Sequence, residues 1–566
     1  MKKVEFMEKD IIANIKFKEL LLPTLLIAMA LNISAVFDSF FVSSLIGESA
    51  LAAIQVFEPV VLFITILEWL FGLGGQILSL NCKGEFDEYG SNKYFTIAIE
   101  STVIICVIML IVCSFFADSL INILHPPAGV LPYVQQYAPF LFLCFPISTG
   151  LGVLSQYIRV DGQPNFASYL IIIANVINII LDYVFLAHFH MGIGGAALAT
   201  LIGYSVALII SLKYHFDPKR TYKYLRLKIS IKEWFGSAYK ICKTGFPNAS
   251  TGLFEVFLVY IINRILTVYL GEIGLVSYTA CMDSLLIVSI LIVGLIETFS
   301  SIIPVYYSQH DYKNVKYLFK KAVMIALIVA VAFTAILWIV PDLFLMLYKL
   351  NLSPNVETFR FTLRIFSLCF IPSVFATVFI FYYEAIERSA IATALSAIAM
   401  FVGPLSAIFG LMPVMGINSV FISFAVANVM TIIVAIVYVK IVERREPQYG
   451  GFLIFRKDLI PLTQNFNLQN RNDKNEVTNH LMSLDCKEEE CKNVESILNF
   501  IFDNNDEDVA VEVLVIDYED NITVNIKYTG KEGLFEEIKK EVPDDDSLKF
   551  TNVLGFNNIK YEIKKS

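Results

Sequence analysis

Charge is what this sequence has least of. Only 17% of its 566 residues are Asp, Glu, Lys or Arg, against roughly a quarter in soluble domains, while 56% are hydrophobic. That excludes an ordinary soluble protein, and the length excludes a single small domain. A basic excess is lacking too: 43 Lys and Arg stand against 52 Asp and Glu, so no nucleic-acid partner is expected. Cysteine clusters are also missing. Seven of the nine cysteines (Cys82, Cys106, Cys113, Cys144, Cys242, Cys281, Cys369) lie singly in apolar runs, where a thiol behaves as a small hydrophobe. Cys486 and Cys491 have no histidine partner, so neither a disulfide framework nor a zinc cage is implied.

The charge that is present is unevenly placed. Residues 451–566 hold 14 Lys and Arg and 24 Asp and Glu, whereas the first 450 hold 29 and 28. The chain's acidity belongs to its tail.

Before that tail the sequence is a series of long apolar runs. A membrane helix needs about 20 mainly apolar residues. Twelve such segments fall roughly at 18–43, 51–81, 95–118, 132–157, 166–187, 192–212, 240–269, 274–305, 321–348, 361–384, 390–411 and 416–440. The first is too long for a signal peptide and has no small-residue cleavage site. Lys and Arg collect before the first segment, between the sixth and seventh (Lys219, Arg220, Lys223, Arg226, Lys228, Lys232) and after the eighth (Lys313, Lys316, Lys320). The positive-inside rule then places both termini in the cytoplasm and the protein in the plasma membrane.

The sequence also repeats itself. Pro23 and Gly47-Glu48 recur 224 residues later as Pro247 and Gly271-Glu272, and Met191-Gly192-Ile193 recurs as Met415-Gly416-Ile417. An even number of crossings separates the copies, so the halves are parallel repeats, as in two-lobed transporters with alternating access. The expected organisation is a segment 1–17, a first six-helix lobe 18–213, an inter-lobe loop 214–239 and a second six-helix lobe 240–440. A linker 441–477, with its most polar part at 464–476, leads to a small α+β domain over 478–566. In that domain Val511–Tyr518 and Ile522–Tyr528 read as a hairpin, with helices over Asn493–Phe502 and Leu534–Lys540. The fold class is thus an all-α polytopic membrane protein with a small cytoplasmic α+β domain.

Ionisable residues at membrane depth are costly and mark function. Asp38, Glu58, Glu68, Asp182, Glu255, Asp283, Glu297 and Glu384 qualify, with only Arg264 and Arg364 as basic counterparts. Asp38 and Asp182 each lie about five residues before the outer end of an outward-running helix, so they can meet. Asn178 is one turn before Asp182 on the same face, and Thr200 reaches a similar depth. Two carboxylates, an amide oxygen and a hydroxyl suit a proton or Na⁺.

The runs Ala35-Val36-Phe37-Asp38, Arg159-Val160-Asp161-Gly162-Gln163-Pro164, Asn178-Ile179-Ile180-Leu181-Asp182 and Met191 to Thr200 resemble multidrug and toxic compound extrusion (MATE) transporters over about residues 15–440. The resemblance implies two six-helix lobes and cation-coupled efflux from a central cavity. In prokaryotic relatives of the DNA-damage-inducible type it implies a coupling site for H⁺ or Na⁺ at Asp38, Asn178, Asp182 and Thr200. Pro23 matches a proline at which the first helix bends; it cannot donate to the carbonyl of Glu19. Glu255 matches an acid of the NorM-like branch, whose further acid on the tenth helix has no counterpart around Ser373. Glu255, Glu68, Asp283 and Glu297 are the candidates for a substrate cavity or a second-lobe ion site.

The tail resembles the ATP-binding fold of histidine kinases and anti-sigma factors at Ile526–Gly533 and at Asn552-Val553-Leu554-Gly555. Thr529 stands where the adenine-binding Asp would be, which implies a degenerate, non-hydrolysing module.

The sequence therefore predicts a non-enzymatic antiporter, monomeric, with no cofactor beyond the coupling ion. Its expected partners are an organic, cationic small molecule, membrane lipid, and a cytoplasmic regulator or ligand at the tail. Two rival readings are a lipid-linked-sugar flippase of the same superfamily and a transporter-derived receptor signalling through the tail.

Overall fold

The computed structural model describes residues 12–84, 87–161, 163–217, 220–386, 388–468, 473–484, 486–505, 509–530, 537–539, 547–553 and 556–565. Among the described residues, twelve long helical segments dominate 12–445. The first lobe contains α1 (Ile12–Leu45), α2 (48–84), α3 (Glu88–Phe115), α4 (Leu131–Val160), α5 (164–188) and α6 (Ile193–Ser211). The second contains α7 (Ile231–Leu270), α8 (Glu272–Ser308), α9 (Tyr312–Ile339), α10 (356–385), α11 (389–415) and α12 (Asn418–Arg445). Eleven of these are long and apolar enough to cross a membrane; α1, 34 residues long, completes the set. α1 runs as one helix through position 23, and the side chain of Pro23 lies outside the described residues.

The repeat is visible in the backbone. Gly47 and Gly271, at the entries to α2 and α8, have φ of 126° and 61°, and Gly192 and Gly416, at the turns before α6 and α12, have φ of 65° and 57°. These conformations exclude most side chains, which explains why glycine stands at both copies of each turn. Where the copies meet, α1 packs on α8 and α2 on α7 and α8. Buried Gln55 Nε2 donates to Asn263 Oδ1 at 3.3 Å, Asn263 Nδ2 donates to the Gln55 carbonyl at 2.7 Å, and the Thr279 hydroxyl donates to Gln55 Oε1 at 3.3 Å.

After α12 come a short antiparallel pair, β1 (Tyr449–Gly450) and β2 (Phe455–Arg456), and then a five-stranded antiparallel sheet in the order β3-β4-β5-β7-β6. The sheet is built from β3 (Thr463–Leu468), β4 (Val511–Asp517), β5 (Asn521–Tyr528), β6 (Leu548–Val553) and β7 (Phe556–Lys564). The expected hairpin is β4-β5. The expected linker at 464–476 is corrected: Thr463–Leu468 is a strand paired to β4. Its polar composition hid it, because one of its asparagines faces protein rather than water. The helix expected at Asn493–Phe502 is α14 (Glu488–Asn504), preceded by α13 (Lys474–Ser483). Most of Leu534–Lys540 lies outside the described residues, as do Lys531, Glu532, Gly533, Leu554 and Gly555 of the nucleotide-motif resemblance.

α13 and α14 cover one face of the sheet, burying Val513, Val515, Val524 and Ile526 against Val494, Ile497 and Leu498. The alternation of a strand turns Glu512 and Lys527, cross-strand partners in the β4-β5 ladder, to the opposite face. That face docks on the turn between α8 and α9. Lys527 Nζ lies 3.2 Å from Asp311 Oδ2, both side chains being 1% exposed, and 4.1 Å from the centre of the Tyr306 ring. Asn465 of β3 donates to Asp311 Oδ1 at 2.6 Å. The Tyr306 hydroxyl and Asn314 Nδ2 donate to Glu512 Oε2 at 3.1 and 3.4 Å. The tail is thus joined to the second lobe by a buried charge cluster.

Candidate functional site

α1 and α5 pack against one another, as do α5 and α6, and this brings the four first-lobe residues together. The α5–α6 contact is close because residue 203 is glycine: a Cβ there would lie 2.5 Å from the Ala174 carbonyl oxygen and 3.3 Å from the Asn178 nitrogen. Any larger residue would drive the two helices apart at the level of Asn178. Asn178 Nδ2 donates to Thr200 Oγ1 at 3.1 Å, and the Thr200 hydroxyl donates in turn to the Ala196 carbonyl at 3.1 Å. The Asn178 carbonyl oxygen accepts from the Ser34 hydroxyl at 2.7 Å. Ser34 was not anticipated, yet it carried a signal: it precedes Asp38 by four residues and so shares its face of α1.

The carboxylates are treated differently. Asp182 is fully buried, and both of its oxygens, with Asp38 Oδ1, have no hydrogen-bond partner among the described residues. Asp38 and Asp182 are within electrostatic reach of each other. Asn178 and Thr200 are engaged with each other and Asn178 with Ser34, whereas these carboxylate oxygens are open to a proton or a hard cation. Among the described residues no group of three or more His, Cys, Asp or Glu is placed to hold a metal. A Na⁺ ion here would therefore draw on the amide and hydroxyl oxygens as well, a ligand set suited to hard cations.

Asp38 also faces a cavity of about 480 Å³ between the lobes. From the first lobe it is lined by Asp38, Glu58, Asn178 and Thr200; from the second, by Glu255 and Asp283. Tyr137 and Tyr278 supply aromatic surface, and among the described residues no Lys, Arg or His lines it. Glu58 enters the site more centrally than its sequence position suggested.

The remaining acids differ. Glu68 opens a π-helical stretch, Glu68–Leu73, inside α2. It lies against Gly152 of α4, where a Cβ would come within 2.2 Å of its carboxyl carbon, and it is absent from the residues lining the central cavity. A π-turn inserts a residue into the helical ladder, so it rotates the C-terminal part of α2 relative to the cavity-facing stripe. Glu297 is in α8, but its side chain lies outside the described residues.

Comparison with known proteins gives a consistent family. The MatE family model matches residues 23–184. Multidrug export protein MepA of Staphylococcus haemolyticus (strain JCSC1435) is 24% identical over 316 residues, 56% of this chain and 69% of that protein. Probable multidrug resistance protein YpnP of Bacillus subtilis (strain 168) is 27% identical over 198 residues, 34% of this chain and 44% of that protein. The match thus spans less than half of YpnP. The solved inward-facing conformation of a multidrug resistance MATE family transporter of the MOP superfamily superposes with a TM-score of 0.65. It has 19% identity and covers 74% of this chain and 97% of that one. With twelve helices in two repeated lobes around an acid-lined cavity, the chain shares the fold of solved MATE transporters and resembles the MatE family in sequence over residues 23–184.

Proposed function

We propose that this protein is a secondary active efflux transporter that exports organic cations in exchange for H⁺ or Na⁺. The observation that carries the reading is Asp182, fully buried with both oxygens unpartnered among the described residues, within electrostatic reach of Asp38, which lines a cavity shared by the lobes. A bare carboxylate in low dielectric is strongly disfavoured, so the site is stable when it holds a proton or a hard cation. Asp38 and Asp182 would bind the ion, beside a hydrogen-bonded chain from Ser34 through Asn178 to Thr200 that ties α1, α5 and α6 together. An ion bound more tightly in one lobe arrangement, and substrate in the other, couples the two fluxes. The names of MepA and YpnP, both tied to multidrug export or resistance, agree with this reading. The test is dye efflux from membrane vesicles under separately imposed pH and Na⁺ gradients. If neither gradient drives efflux, the reading fails.

The charge of the cavity supports an organic cation as the substrate class. Among the described residues four carboxylates and no base line it, which also disfavours a flippase for anionic lipid-linked sugars. An organic cation is expected to be exported at least tenfold faster than an anion of similar size and hydrophobicity, read as initial rates in the same vesicles. Equal or faster export of the anionic dye contradicts this assignment.

The tail, in this reading, regulates and does not power transport. Its docking through Asp311 and Lys527 gives it a mechanical hold on the α8–α9 turn.

A further inference from the structure

α9 is the least enclosed of the eleven membrane spans, so its outer face meets lipid. Along that face Lys313, Lys316 and Lys320 recur at helical spacing and are exposed. The same stripe continues as Val323, Met324 and Leu327. It forms one wall of a groove of about 970 Å³ whose other wall comes from the chain after α12, including Phe452 and Ile460. Phe452 and Ile460 are 49% and 47% exposed. Among the described residues three lysines and no acid line the groove, and Lys313 and Lys316 have no ion-pair partner there.

The order of chemistry along the groove matches one kind of molecule. From Lys316 to Leu327 is about 16 Å at 1.5 Å per residue, which separates a basic rim from an apolar floor by the depth of a headgroup and the upper acyl chains. Basic pockets at the end of membrane helices attract anionic headgroups. We infer that this groove binds an anionic phospholipid from the leaflet on the tail side, with Lys313 and Lys316 at the phosphate and Met324, Leu327 and Phe452 along the chains. One wall belongs to a spanning helix and the other to the segment leading into the tail. A bound lipid therefore ties the tail's attachment to the composition of the membrane.

The test compares full-length protein in detergent with phosphatidylglycerol, phosphatidylcholine or inorganic phosphate added, reading binding by native mass spectrometry and stabilisation by thermal melting. Phosphatidylglycerol is expected to bind and stabilise, and the other two not. In Lys313→Gln/Lys316→Gln its affinity falls about thirty-fold, the equivalent of roughly 1 kcal/mol for each lysine, while Lys313→Arg/Lys316→Arg retains it. Lys223→Gln/Lys228→Gln, in the inter-lobe loop, leaves it unchanged. Equal stabilisation by phosphatidylcholine shows an unspecific lipid effect, and equal stabilisation by phosphate shows a bare anion site; either overturns the inference. So does an equal loss in the loop variant. Should the groove variant fold poorly, a photoreactive phosphatidylglycerol on the parent protein decides: labelling within 450–465 is expected, and labelling confined elsewhere refutes the site.

Discussion

Replacing Asp182 or Asp38 by asparagine is expected to abolish uphill efflux while leaving the protein inserted and folded. The amide keeps the size of the carboxylate and removes its ability to gain and lose a proton or to hold Na⁺ by charge. Stability should not fall, because a neutral amide is easier to bury than an unpartnered carboxylate; a purely structural role for Asp182 predicts the opposite. The available driving force shows what is lost. A membrane potential supplies about 2.3 kcal/mol per charge per 100 mV, and a pH unit about 1.4 kcal/mol per proton. With one proton exchanged for one monovalent cation the potential cancels, and each pH unit supports about a tenfold substrate ratio. Either variant should reduce that ratio to one, measured in vesicles with an imposed gradient. Ser34→Ala, which removes only a hydrogen bond to Asn178, should weaken efflux about fivefold, as expected from roughly 1 kcal/mol. Near-normal gradient-driven accumulation by Asp182→Asn would remove the site from the mechanism.

The second large effect is expected at the tail. Lys527→Met leaves Asp311 and Glu512 buried without their cation, and breaking a buried pair in this way destabilises by about 3–5 kcal/mol. The tail should detach, seen as new hydrogen exchange in β5 and in the turn between α8 and α9. Combining Lys527→Met with Asp311→Asn and Glu512→Gln removes the stranded charges and should restore most of the docking. If the single variant stays docked, the cluster does not hold the tail. Burial raises the Glu512 carboxyl from 4.5 to about 7, with Asp311 adding to the rise and Lys527 and the Tyr306 hydroxyl opposing it. Between those two values the docked tail keeps a proton that an undocked tail has released. Docking is therefore strongest below about pH 4.5, weakens as pH rises through about 7 and is level above it. Glu512→Gln should flatten that dependence.

The parts of this architecture that were legible in the sequence are those fixed by local chemistry. Apolar length gave the helices, and the duplicated glycine turns gave the repeat, because φ above zero leaves few substitutes. The depth of Asp38 and Asp182 followed from counting residues to the helix ends. What depended on the angle of a side chain around its helix was harder. Glu68 was a cavity candidate, but ten residues after the cavity-lining Glu58 an α-helix has turned roughly 280°, which sets Glu68 against Gly152 instead. Contacts between distant segments left no local trace at all. Nothing around Asp311 shows that a lysine 216 residues later will meet it, nor does the polar run after Thr463 reveal an edge strand whose asparagine reaches the same carboxylate.

The hydrogen bond from Thr279 to Gln55 has a history written in its spacing, since the two positions are the same position of the repeat, 224 residues apart. In a symmetric pair of six-helix subunits, this residue would lie on the dyad and touch its own copy, as self-complementary dimer interfaces require. Such a spot admits only residues that pair with themselves, and every change there is made twice. Once a single gene encoded both halves, that restriction ended. Gln55 now has a second partner in Asn263 while its twin carries a shorter hydroxyl, so the interface has a direction. An ancestral homodimer could rock only symmetrically with respect to its two members; the fused chain can keep an ion site in one half and assign the other half different work.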